Sequence, residues 1–177
     1  RCAFLIDDFA KAIEYSRFVL ESGGITTQLK IEGMYSSGIS NYRLGNFEEA
    51  FPPLEWVVKN TTTAIGSEAK FTLAEIYFKQ VKYEQADIEI KSLLKMKPSY
   101  NYWVAKGLIL QARIMIINNE LFQSEQTLKS VLEFYPEQND GVLSEANNLF
   151  NELMQLKNPV IIEKQEESVK KIEINEE

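Results

Sequence analysis

Four stretches of the chain place apolar or small residues at offsets 0, 3, 7, 10 and 11. They are Phe9/Ala12/Ser16/Val19/Leu20, Phe47/Ala50/Leu54/Val57/Val58, Tyr83/Ala86/Ile90/Leu93/Leu94 and Leu121/Ser124/Leu128/Val131/Leu132. Steps of three and four residues draw one stripe along an α-helix, so each stretch predicts a helix that buries its stripe against a neighbour. The second position is always Ala or Ser, small enough to let another helix backbone come close.

That neighbour is predicted upstream. Counting back twelve residues from Ala50, Ala86 and Ser124 reaches Gly38, Ala74 and Ala112, which are small again. Two helices with small residues at this fixed separation, joined by a short turn such as Leu44-Gly45-Asn46 or Gln80-Val81-Lys82, form an antiparallel hairpin. The small residues of the second helices recur at spacings of 38 (12 to 50), 36 (50 to 86) and 38 (86 to 124). A period of this size predicts a solenoid, in which each unit buries its apolar face by stacking on the next. Pro52 and Pro53 fall inside one second helix, where Pro52 loses a backbone hydrogen bond and is expected to kink the first turn.

At these positions the chain resembles the tetratricopeptide repeat family. The match is clearest from Ser67 to Pro98, with Leu73, Ala74 and Tyr77 on the first helix, Tyr83 and Ala86 opening the second, and Pro98 closing it. The unit ending at Pro136 keeps Ala112, Ser124 and Pro136 in register. The Gly38 to Val58 unit has Gly45 at its turn, but Asn41 where the family usually has Tyr and Thr62 where it usually has Pro. The resemblance covers roughly residues 1 to 156. It implies an all-α fold, a right-handed TPR-like α-solenoid of antiparallel helix hairpins, with about 3.5 repeats and a C-terminal capping helix. Gly66-Ser67-Glu68-Ala69-Lys70, Leu73-Ala74-Glu75-Ile76-Tyr77-Phe78, Tyr102-Trp103 and Leu121-Phe122-Gln123-Ser124 are also similar to the long repeat arrays of Bacteroidota-type bacteria.

The expected organisation is a partial hairpin at 1–22, repeats at 24–60, 64–98 and 101–136, a capping helix at 140–157 and an acidic tail at 158–177. Twelve residues back from Ala12 falls before Arg1, so Arg1 to Leu20 read as the remains of a larger array with further repeats upstream. Asp140 is placed to cap a helix from about Gly141 to Lys157. Its apolar side is Val142, Leu143, Ala146, Leu149, Phe150 and Leu153; Ser144, Glu145, Asn148, Asn151 and Glu152 make the other side polar, as the closing helix of an array requires. The tail has two readings: a solvated segment too polar to order itself, or, through Val160-Ile161-Ile162 and Ile172-Glu173-Ile174, a strand added to a partner's sheet edge.

Composition narrows the function. A hydrophobic content of 45% supplies a continuous core, and no apolar run approaches the length of a membrane span. The net charge of −7 argues against nucleic acid, whose binders need a basic stripe; here 19 Lys and Arg are scattered among 26 acids. The single cysteine, Cys2, excludes an internal disulfide and a cysteine-based zinc site. The absence of histidine removes the commonest general base and metal ligand. Gly23-Gly24 reads as a C-cap for a helix ending at Ser22 rather than a phosphate cradle, and Asp7-Asp8 and Glu48-Glu49 as acids favourable at helix N-termini. The expectation is a non-enzyme with no cofactor and no metal.

What remains is surface. In tetratricopeptide arrays the first helix of each hairpin lines a concave groove, and the resemblance carries those positions onto units starting at Ile31, Ser67 and Ala105. They are Glu32, Tyr35, Ile39, Tyr42 and Arg43; Glu68, Phe71, Glu75, Phe78 and Lys79; Lys106, Ile109, Arg113, Ile116 and Ile117. The candidate partner-binding residues are Tyr35, Ile39, Tyr42, Arg43, Phe71, Glu75, Phe78, Lys79, Lys106, Ile109 and Arg113. Tyr35, Phe71, Glu75, Lys79 and Arg113 are expected to be exposed, whereas Tyr42, Phe78 and Ile116 read equally well as packing between hairpins. Tyr100, Tyr102 and Trp103 read as packing under the Pro98 turn in preference to a contact site.

Such a groove, aromatic and aliphatic with a few charges, suits a helical or apolar protein or peptide. The clamp by which some relatives hold chaperone carboxylates would need basic and amide residues at Tyr35, Ile39, Lys106 and Leu110, and only Lys106 fits. The expected function is a scaffold or adaptor holding components of a multi-protein assembly, such as one of a bacterial cell envelope or secretion machinery. The alternatives are a structural self-association module, or an accessory domain of a larger protein with an enzyme outside this stretch. The compartment stays open between periplasm or cell envelope and cytoplasm.

Overall fold

The computed structural model describes residues 8–157, which form eight α-helices and no strand. The readings placed on Arg1, Cys2, Asp7 and the segment 158–177 lie outside the described residues. The helices are α1 (Phe9–Glu21), α2 (Thr27–Leu44), α3 (Phe47–Asn60), α4 (Ala64–Lys79), α5 (Tyr83–Leu94), α6 (Asn101–Ile117), α7 (Leu121–Phe134) and α8 (Val142–Lys157). The chain falls into two compact units, Arg1–Leu110 and Gln111–Glu177, divided within α6.

The repeat in the sequence is also a repeat of backbone geometry. Asp8, Asn46, Lys82 and Glu120, spaced 38, 36 and 38 residues apart, each start a helix from nearly the same conformation, with φ between −80 and −94° and ψ between 54 and 70°. Before three of them the chain turns identically. Gly45, Val81 and Asn119 hold positive φ values of 80, 61 and 62°. The next amide in each case, that of Asn46, Lys82 or Glu120, donates to the carbonyl five residues back at 2.8–2.9 Å. This six-residue closure satisfies carbonyls that a helix end would otherwise strand, so two or three residues suffice to reverse the chain.

On α3, α5 and α7 the three middle positions of the stripe are buried, and its two end positions are half-buried. Ala50, Leu54 and Val57 on α3, Ala86, Ile90 and Leu93 on α5, and Ser124, Leu128 and Val131 on α7 are all in the interior. The small residues mark direct helix contact: a Cβ added at Gly38 would stand 2.7 Å from the Leu54 side chain. In the second unit, the Ser124 hydroxyl donates to the Ala112 carbonyl at 3.0 Å, joining two residues twelve apart in sequence. In the first unit α2 packs on α3, α3 on α4 and α4 on α5, and α2 also meets α4. Ile39, Leu54, Val57, Leu73 and Ile76 form the shared core, and each such large side chain buried is worth about 1.5–3 kcal/mol.

Three local expectations are modified. α3 runs unbroken through Pro52 and Pro53. The prolines cannot donate to the Glu48 and Glu49 carbonyls, but both glutamates are at the exposed start of the helix, where water can take the acceptors. α1 ends at Glu21 without a glycine cap: Ser22, extended, donates its amide to the Val19 carbonyl and its hydroxyl to the Phe18 carbonyl, and Gly24 turns only afterwards. α8 starts at Val142 rather than Gly141, because Asp140 Oδ1 accepts from the Val142 amide at 3.1 Å.

α8 has the two sides expected of it. Val142, Ala146, Leu149 and Leu153 are buried, while Asn148, Asn151 and Glu152 are exposed. It is tied to α7 by Lys157, which pairs with Glu125; Lys129 pairs with the same carboxylate at 2.6 Å. The hydrogen bonds from the two ammonium groups hold the Glu125 carboxyl down at about 2.

Val81 is the costly member of the repeated turn. A left-handed conformation costs an L-residue about 1–2 kcal/mol, β-branching adds crowding, and at 68% exposure the side chain recovers little by packing. Val81→Gly is therefore expected to stabilise the protein by about 1 kcal/mol, after the greater unfolded-state freedom of glycine is deducted. Equilibrium chemical denaturation of the two proteins measures the difference, and a loss of stability would contradict it.

Candidate functional site

The first helices of two successive hairpins, α2 and α4, lie against each other in register. The Tyr35 hydroxyl donates to Glu68, and the Tyr42 hydroxyl donates to Glu75 Oε2 at 3.0 Å. The two pairs are seven residues apart on each helix, so the same contact repeats two turns further along and the helices run in the same sense. At the next step the chemistry changes. Phe71, 36 residues after Tyr35, has no hydroxyl, and the Lys106 ammonium lies over its ring, 5.7 Å from the centroid.

Every member of these pairs except Tyr35 lines a pocket of about 200 Å³. Its rings come from Tyr42, Phe71, Tyr102 and Trp103, its carboxylates from Glu68 and Glu75, its cations from Arg43 and Lys106; Ile39 and Thr72 complete it. Trp103 stacks at 5.6 Å on Phe71 and meets Tyr102 edge-on at 4.7 Å. Lys79, exposed beside the pocket, lies over the Tyr42 ring at 4.4 Å. Two larger hollows, about 270 Å³ between α1 and α2 and about 710 Å³ among α1, α2 and α3, hold few of the candidate residues; Tyr35 lines the first.

The electrostatics of the pocket follow from partial burial. Desolvation raises the Glu68 carboxyl above its ordinary value, against the opposing effects of the Tyr35 hydrogen bond and the Arg43 charge. Burial also raises the Tyr35 and Tyr42 phenols, helped by the charges of Glu68 and Glu75, so both hydroxyls remain protonated donors. Thr72 donates to the Glu68 carbonyl at 2.9 Å, which satisfies the buried hydroxyl within α4.

Six of the candidate residues line this one pocket: Ile39, Tyr42, Arg43, Phe71, Glu75 and Lys106. Several are less open than expected. Phe71 is only 4% exposed, because Trp103 and Lys106 cover it. Ile39 and Ile109 are interior residues at 3% and 0% exposure; their place on the first helices turns them toward the packed side. Phe78 packs on Tyr83 of α5 at 5.4 Å. Arg113 belongs to the second unit, where it pairs with Glu145 of α8 at 3.9 Å.

Tyr102 and Trp103, read from sequence as packing under the Pro98 turn, supply two of the four rings. Their spacing carried the signal: they stand four and three residues before Lys106, on the same side of α6. Among the described residues no group of three or more His, Cys, Asp or Glu could hold a metal ion, and no helix is long and apolar enough to cross a membrane.

The fold is thus all-α, and its helices repeat as hairpins with one turn geometry. Set beside known proteins, the chain matches no family model, no curated protein and no solved structure.

The raised Glu68 carboxyl gives a signed test. A folded-state value above the unfolded one means that the native protein holds its proton more tightly, so this group's contribution to stability is lost as pH rises from the ordinary carboxylate range through the raised value. Glu68→Gln removes that penalty and keeps an acceptor for Tyr35. The variant is expected to be more stable than the parent at neutral pH, with the difference vanishing below about pH 4. Urea denaturation from pH 3 to pH 8 measures it; a variant uniformly less stable across that range would contradict the desolvation argument.

Proposed function

We propose that the chain is a non-catalytic scaffold or adaptor that holds a protein segment against the α2 and α4 face. Its hairpins would stack as a right-handed TPR-like solenoid and so keep their first helices on one side. The observation that carries this reading is the convergence of Tyr42, Arg43, Glu75 and Lys106, from three different first helices, on one partly open pocket with ring faces and charges together. Interface hot spots have this composition, rings and an arginine in a semi-enclosed place, with polar groups fixing orientation. Components of a multi-protein assembly are the expected partners.

A second reading is favoured by particular side chains. Tyr15 and Phe18 on α1, and Phe122 and Phe134 on α7, are large and exposed, at 54, 74, 66 and 73%, which suits a module that associates with copies of itself.

One experiment separates the two. The intact protein and an Arg43→Glu/Lys79→Glu double variant are used as baits, and each is sized by light scattering over a range of concentrations. The adaptor reading expects a monomer that retains a partner, with the double variant losing at least tenfold in affinity, about the loss of one interfacial charge contact. A bait that recovers no partner, or a variant that holds the same partner equally well, would sink it; concentration-dependent growth in mass would favour self-association.

A further inference from the structure

We infer that the hollow bounded by α1, α2 and α3 receives a tyrosine side chain from a partner protein. This hollow shares no lining residue with the pocket between α2 and α4, so the inference does not rest on the adaptor reading.

The repeat shows what belongs there. One hairpin further on, the equivalent place is filled by the chain itself. Phe51, 38 residues after Ile13, meets Tyr77, 36 residues after Asn41, with ring centroids 4.9 Å apart. Beside these rings Lys70 pairs with Glu89, and they stand 36 residues after Met34 and Pro53. Between α1, α2 and α3 the four corresponding residues, Ile13, Asn41, Met34 and Pro53, supply neither rings nor an ion pair, and a hollow of about 710 Å³ opens among them. The Asn41 amide is already paired: it donates to the Ser37 carbonyl at 3.0 Å, and its oxygen accepts from the Asn46 side chain at 3.3 Å.

The lining suits a ring. Met34, Pro52, Pro53, Trp56, Ile13 and Leu20 present thioether, pyrrolidine, indole and methyl surfaces, on which an aromatic side chain buries its faces. The lining also calls for a donor. Pro52 and Pro53 have no amide hydrogen to offer the Glu48 and Glu49 carbonyls, and Glu49 borders the hollow. A guanidinium or ammonium guest would meet Arg17 in the lining and Lys30, which lies over the Trp56 ring at 4.8 Å. A phenol brings its donor without a charge, as the Tyr42 hydroxyl does to Glu75 within the chain.

The chain has two tryptophans, and Trp103→Phe leaves Trp56 as the only one, beside the hollow. It is labelled as 5-fluorotryptophan, and its fluorine resonance is followed while acetylated and amidated pentapeptides Ser-Gly-X-Gly-Ser, with X as Tyr, Phe or Leu, are titrated. The Tyr peptide is expected to shift the resonance saturably at millimolar concentration. The Phe peptide should bind severalfold more weakly for want of one hydrogen bond, and the Leu peptide about tenfold more weakly than the Tyr peptide for want of the ring.

The double variant Ile13→Phe/Asn41→Tyr places the chain's own rings in the hollow and is expected to weaken the Tyr peptide by at least about tenfold, since the ring then has nowhere to bury itself. Should that variant lose its helical circular dichroism, Met34→Lys/Pro53→Glu, which carries the Lys70–Glu89 pair back to this position, makes the same test, and the comparison of peptides on the parent decides without either. No saturable shift with the Tyr peptide, equal affinity for the Leu peptide, or undiminished binding by a folded, filled variant would each overturn the inference. A Trp56 resonance that moves with protein concentration in the absence of peptide would also overturn it, because a second copy of the chain would then cover the hollow.

Discussion

Everything described here depends on how closely paired helices approach each other at small residues. At Gly38 there is no room for a methyl group beside Leu54, and at Ser124 the hydroxyl itself bonds to the backbone of the facing helix at Ala112. Ala74 and Ala86, the corresponding pair of the hairpin between them, are both fully buried. Close approach fixes the height at which two helices cross, and the short turn then fixes where the second helix starts. With both constraints repeated, α2 and α4 come side by side at a constant register. The Tyr35–Glu68 and Tyr42–Glu75 pairs are consequences of that register, formed by residues 33 apart in the chain.

The pocket chemistry follows from the same geometry. Side chains that step by seven residues on neighbouring parallel helices meet in rows, and a row with phenols on one side and carboxylates on the other is self-satisfied. Where the next helix, α6, offers Tyr102, Trp103 and Lys106 instead, the row ends and a hollow opens that is lined by rings, carboxylates and cations together. The pocket thus sits where one type of inter-helix pair gives way to another.

Much of this was legible in the sequence because it is carried by one-dimensional spacing. Helix starts at Phe9, Phe47, Tyr83 and Leu121, the buried stripe behind each, and the small residue twelve positions upstream all follow from periodicity, which survives without knowledge of what packs where. Val81 was not legible as a left-handed residue, since its β-branched side chain argues against that conformation and only the demands of the repeated turn impose it. The depth of Phe71 was not legible, because its cover, Trp103, comes from α6. Ile39 and Ile109 are buried on the same grounds: a position on a helix face is periodic, but its exposure is set by a neighbour. Arg113 took its partner, Glu145, from α8, a contact that no spacing within its own helix announces.

The close-approach constraint has one direct test, the sign of the stability change on Gly38→Ala. In an exposed helix interior alanine is favoured over glycine by about 1 kcal/mol. At Gly38 the new methyl would stand 2.7 Å from Leu54 and 3.3 Å from the Leu54 backbone nitrogen, so α2 and α3 would have to part. The account predicts that equilibrium unfolding of the variant loses about 1–3 kcal/mol, the cost of overpacking a filled core. A gain in stability would contradict it, since α2 and α3 would then not be held together through contact at that glycine.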